Sequence, residues 1–184
     1  YMSRDSDLSP SIPASVQAAS SLLRRWGLGK FWAEFILGII SCVPIGASVL
    51  TSRNRTGGAG SFWAVGGLIA LLLSIYFAWR YFSLGKTLRV TEASERPKRV
   101  ETQQLIKQGL IINLVGMFFS LIGTQSSVGD ALIKSFSQTG SNVVQGGCIL
   151  NSANIFDIQA NTAIFTVHFI GLSISLWLLN RLTK

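Results

Sequence analysis

Four stretches of the chain run for 18 or more residues without a charged side chain. They hold 18 residues between Glu34 and Arg53, 24 between Arg55 and Arg80, 22 between Lys107 and Asp130, and 23 between Asp157 and Arg181. A helix needs about 20 apolar residues to cross the hydrocarbon core of a bilayer. The pattern predicts an all-α membrane protein with four transmembrane helices, at about 31–51, 61–82, 105–124 and 156–182. Ahead of them Val16, Ala19, Leu22, Leu23 and Trp26 recur at helical spacing, with Gln17, Arg24 and Arg25 on a polar face. That suits an amphipathic surface helix over 13–30, lying on the membrane before the first span, or alternatively a cytoplasmic extension of that span. Residues 1–12 are polar, rich in Ser and Pro, and read as a disordered N-terminus without the apolar core of a cleavable signal.

Inside the spans, the polar and small positions carry the detail. Pro44 removes a backbone donor and crowds the carbonyl of Ile40, which predicts a kink in the first span. The third span places Gly109, Gly116 and Gly123 at seven-residue intervals, with Asn113 and Ser120 a second such pair on a neighbouring line. The fourth places Asn161, His168 and Ser175 likewise, with Gly171 alongside. Small residues let helix backbones approach and amides bond across, so both stripes read as helix-packing or partner-binding surfaces. The connection Ser83–Gln104 reads as a solvated loop, basic enough to meet anionic lipid head groups. In the last connection, Val128, Leu132, Ile133 and Phe136 share one face of a short helix expected to lie on the membrane. Residues 139–154, rich in Gly, Ser and Asn, read as irregular.

Composition agrees with this frame: 48% hydrophobic and 13% charged residues, against about 25% charged in soluble domains. The net charge of +8 would suggest nucleic acid in a soluble chain, but its distribution argues otherwise. Thirteen of the 16 Lys and Arg residues fall before the first span, around the second connection or after the last span. Only Arg53, Arg55 and Lys134 fall on the other side. Such an excess marks the cytoplasmic or stromal face, and both termini are expected there. Cys42 and Cys148, at different depths, make a poor disulfide pair, and no zinc spacing occurs.

Ionisable residues at membrane depth are functional candidates, because burying them is costly. His168, the sole histidine, suits a packing role against Asn113 or a serine, or a transport or proton role. Glu34 stands one turn into the first span near Lys30, suited to pairing with a cation or to the mouth of a permeation path. Asp130 and Asp157 complete a thin set of acids for a metal path, since iron calls for several ligands together. No Walker loop, zinc motif or nucleophile–base pair is present, so the reading is non-enzymatic and without a cofactor. Four spans without an inverted repeat are few for a lone transporter, so a pore would require a homo-oligomer or other membrane subunits.

Two segments, KQGLIINLVGMFFSLIGTQSSVGDALIKSFSQ from Lys107 and NIFDIQANTAIFTVHFIGLSISLWLLNRL from Asn154, carry a family likeness. The matching features are Gly109, Asn113, Leu114, Gly116, Gln125, Val128 and Gly129, then Gln159–Thr162, His168, Phe169, Gly171 and Leu172. The chain resembles, from Trp26 onward, the four-span proteins of cyanobacteria and plastids that include a small subunit of the chloroplast inner-envelope translocon. The same plant protein is also described as a chloroplast iron permease. The resemblance implies a cyanobacterial plasma or thylakoid membrane, or the chloroplast inner envelope. It implies a role in protein translocation or complex assembly, or alternatively in iron transport.

Overall fold

The computed structural model describes residues 12–51, 59–89, 97–138 and 152–183. They form four helices: α1 (Ala14–Thr51), α2 (Ala59–Thr87), α3 (Arg99–Gln138) and α4 (Ser152–Thr183). Each is long and apolar enough to cross a membrane, as the charge-free stretches predict. The protein is an integral membrane protein. α1 packs on α2 and α4, α3 packs on the same two, and α2 meets α4 across the centre. The backbones of α1 and α3 do not approach closely, so the bundle is a ring pinched along one diagonal.

The helices run further than the apolar stretches that located them. Residues 13–30, read as a separate surface helix, form the leading part of α1 and continue into the first span. Their apolar face turns onto the bundle, where Leu23 is buried with Tyr81, Ile106 and Leu178. Two glycines allow this. A methyl group on Gly27 would stand 2.8 Å from the Phe82 nitrogen, and one on Gly85 2.8 Å from Arg24 Cγ. Ser20, fully buried, donates to the Gly85 carbonyl at 2.6 Å. α1 also passes through Pro44 as one helix.

α3 likewise absorbs ends read as loops. It begins at Arg99, inside the expected second connection, and runs to Gln138 through the segment expected to lie on the membrane. Val128–Phe136 has the helical periodicity read from the sequence, but no proline interrupts the chain between Thr124 and Gln138 to start a new element. Leu132, Ile133 and Phe136 remain exposed there. The disordered reading of the N-terminus falls almost wholly outside the described residues, as does most of the irregular reading of 139–154 and all of Cys148.

Candidate functional site: a polar layer shared by four helices

Positions four apart on a helix share a face, and Lys30 and Glu34 do so on α1. Their ammonium and carboxylate meet at 2.9 Å, and neither side chain has any exposure. Ser74 of α2 lies 2.9 Å from Lys30 Nζ. Its single proton serves one acceptor at a time, Glu34 Oε1 at 2.8 Å or Asn113 Oδ1 at 3.0 Å. Asn113 of α3 donates its own amide to the Gly109 carbonyl at 2.9 Å, which turns Oδ1 toward the centre. There it also meets His168 Nδ1 of α4 at 3.0 Å, while Nε2 lies 3.1 Å from the Gly67 carbonyl.

Every helix thus supplies one part of a single hydrogen-bonded layer. A neutral imidazole can donate to only one of the two oxygens flanking His168, whereas a ring protonated on both nitrogens satisfies both. The Lys30 ammonium also lies 5.5 Å from the centre of the Tyr81 ring, whose hydroxyl donates to the Ile106 carbonyl at 3.2 Å. Glu34 Oε2 is buried and has no hydrogen-bond partner among the described residues.

The glycines are the holes into which these polar groups fit. A methyl group on Gly116 would run into the His168 ring, one on Gly123 into the Asn161 amide, and one on Gly109 into the Tyr81 hydroxyl. On α4, a methyl group on Gly171 would collide with Glu34 Oε1 and stand 2.7 Å from Asn113 Oδ1. The seven-residue spacing therefore matches polar side chains of one helix to gaps in the next. A second polar group lies toward the other end of the bundle. Ser61 donates to the Asp157 carboxylate, 3.1 Å from either oxygen, and Asn161 donates to the Gly60 carbonyl at 3.2 Å and to the Asp157 carbonyl at 2.9 Å.

The family model described as a protein of unknown function (DUF3611) matches residues 13–183. The chain belongs to that family. Among individual proteins it is similar to Protein TIC 21, chloroplastic, of Arabidopsis thaliana, at 25% identity over 178 residues. The match covers 94% of this chain and 60% of that protein, so the chain spans less than two thirds of its relative. No solved structure matches. The family match extends through the first two helices, where the likeness read from the sequence is looser, and takes in the whole polar layer.

Of the residues singled out in the sequence, Glu34, Asn113, Gly116, His168 and Gly171 come together in that layer. Gly109 faces Tyr81 on the way to the basic end, and Ser175 is buried on α4. Ser120 lies between the layers and donates to the Gly116 carbonyl at 2.9 Å. Gly123, Asn161 and Asp157 form the second group, and Asp130 is half-buried further out on α3. Among the described residues, no three His, Cys, Asp or Glu side chains are grouped so as to hold a metal ion. Sequence reasoning missed Lys30 as a member of the core, counting it as a topological charge, and missed Ser74, Tyr81 and the Gly67 carbonyl. The Lys30–Glu34 spacing was the signal available. Ser74 and Gly67 look like any small residues of an apolar span.

Proposed function

We propose that this protein is a non-enzymatic component of a photosynthetic-lineage membrane, acting in protein translocation or membrane-complex assembly by binding partner helices. The observation that carries this reading is the Lys30 ammonium, buried at the centre of the polar layer against Glu34 and Ser74. Glu34 Oε1 is taken up by that ammonium and by Ser74, and the surrounding polar groups are directed to one another across the helices rather than to a path. The likeness to the translocon family and the chloroplastic relative support the setting. The setting proposed is the chloroplast inner envelope or a cyanobacterial membrane, with both termini on the cytoplasmic or stromal side by the distribution of Lys and Arg.

The experiment compares iron uptake by proteoliposomes holding wild-type protein or His168→Gln, each normalised to folded protein. The expected result is uptake equal to that of empty vesicles for both, with the substitution lowering only thermal stability. Wild-type flux above that background, lost in a folded His168→Gln variant, would replace this reading with iron permeation. Topology is tested separately. In a cysteine-free background, Lys184→Cys and Lys98→Cys should react with an impermeant maleimide from the same side of the membrane, because the excess of Lys and Arg lies on that face. Labelling from opposite sides would break the four-span arrangement.

A further inference from the structure

The basic end of the bundle carries a groove of about 360 Å³ between the leading turns of α1 and the adjoining ends of α3 and α4. Val16, Leu22, Leu88 and Leu182 give it an apolar floor, and Arg99 and Arg181 stand at its wall. No acidic side chain lines it among the described residues. Glu101, on the first turn of α3, accepts from the Lys98 amide at 3.3 Å. The Arg99 guanidinium is already placed, because it donates to the Leu182 carbonyl at 2.9 Å, the last turn of α4. That contact uses one of its five N–H groups and leaves the others for a ligand. Arg181 is exposed and makes no hydrogen bond or ion pair among the described residues.

The depth of the groove follows from its aromatic neighbours. Trp26 of α1 and Trp177 of α4 pack with ring centroids 4.5 Å apart, both partly exposed. Tryptophan is enriched at the membrane–water interface. Leu22 precedes Trp26 by four residues and Arg181 follows Trp177 by four, each about 6 Å further out at 1.5 Å per residue. Val16 lies about 15 Å out by the same measure. The groove thus begins at the level of glycerol and phosphate, with Leu22 and Leu182 at about the height of the guanidinium groups and Val16 further out.

We propose that this groove binds one anionic phospholipid, its phosphate held by Arg99 and Arg181 and its glycerol backbone lying on Leu22 and Leu182. The planar guanidinium suits a phosphate because it offers two parallel N–H donors. An apolar floor distinguishes a lipid from a free anion, which would leave that surface uncovered. The inference is independent of the proposed translocation role, since it rests on a different end of the molecule.

Native mass spectrometry of the detergent-purified full chain, titrated with phosphatidylglycerol, phosphatidylcholine or inorganic phosphate, tests it. Phosphatidylglycerol should add as one saturable lipid, with phosphatidylcholine and inorganic phosphate adding little. Arg181→Gln should weaken phosphatidylglycerol binding on the order of fivefold, the effect of one cation on an anionic lipid surface. Arg99→Gln combined with Arg181→Gln should weaken it further. Arg25→Gln removes the same charge from an exposed position outside the groove and should leave affinity unchanged. Should the double variant fail to fold, the Arg181→Gln and Arg25→Gln pair decides alone. Equal losses in those two would mean diffuse charge attraction. Equal binding of phosphatidylcholine would mean apolar adsorption, and saturation by inorganic phosphate would mean a simple anion site. Each of these overturns the proposal.

Discussion

Glu34→Ala should lower unfolding stability by about 3–5 kcal/mol, the cost of stranding one member of a buried ion pair. The Lys30 ammonium would keep Ser74 and the Tyr81 ring, but lose the carboxylate 2.9 Å away. Lys30→Met alone should destabilise for the mirror-image reason, leaving a carboxylate whose second oxygen is already unpartnered. Combining Lys30→Met with Glu34→Gln removes both charges while keeping the Ser74 hydrogen bond available. That double variant should recover most of the loss, because it leaves no unpaired charge buried in the bundle. Denaturation midpoints in mixed micelles of constant composition measure all three. Equal destabilisation of the double variant and Glu34→Ala would show that the charges are not coupled as the geometry requires.

Gly116→Ala and Gly129→Ala should act in opposite directions, although both are glycine-to-alanine changes in the same helix. Alanine is favoured over glycine within a helix by about 1 kcal/mol, and a methyl group on Gly129 meets nothing within 4 Å. Gly129→Ala should therefore stabilise by up to that amount. At Gly116 the new methyl group enters the space of the His168 ring, whose nitrogens lie against the Asn113 and Gly67 oxygens. Overpacking costs typically about 1–3 kcal/mol, and displacing the ring also breaks the hydrogen bond it donates. Gly116→Leu should be worse still, while Ile112→Leu on the same helix should change little. The same micelle unfolding assay compares them, and a stabilising Gly116→Ala would remove the close contact from the argument.

The number of spans and their order were legible because charge-free length responds directly to bilayer thickness. Helix ends were not. A window of uncharged residues locates the hydrocarbon core, but a helix continues beyond it until backbone geometry stops it, as α3 does from Thr124 to Gln138. The glycine and amide stripes were legible as contacts, since seven-residue spacing places Gly116 and His168 each on one line of its helix. Their pairing was not, because it depends on how α3 is set against α4 in height and rotation. Lys30 was the main loss. Five residues outside the charge-free stretch it resembles an interfacial anchor, and the close crossing of α1 and α2 at Gly27 and Gly85 brings that part of α1 onto the bundle.

The sharing of one polar layer among four helices has a consequence for how the protein is made. When the first hairpin enters the membrane, Lys30, Glu34 and Ser74 can already satisfy much of one another's need. Asn113 arrives only with the third helix. The Gly67 carbonyl and the Asn113 oxygen receive the His168 ring only when the fourth is in place. The last helix to be synthesised is therefore the keystone, and a chain cut short before it exposes the polar interior to lipid. Membrane quality control could tell finished from unfinished copies by that difference alone.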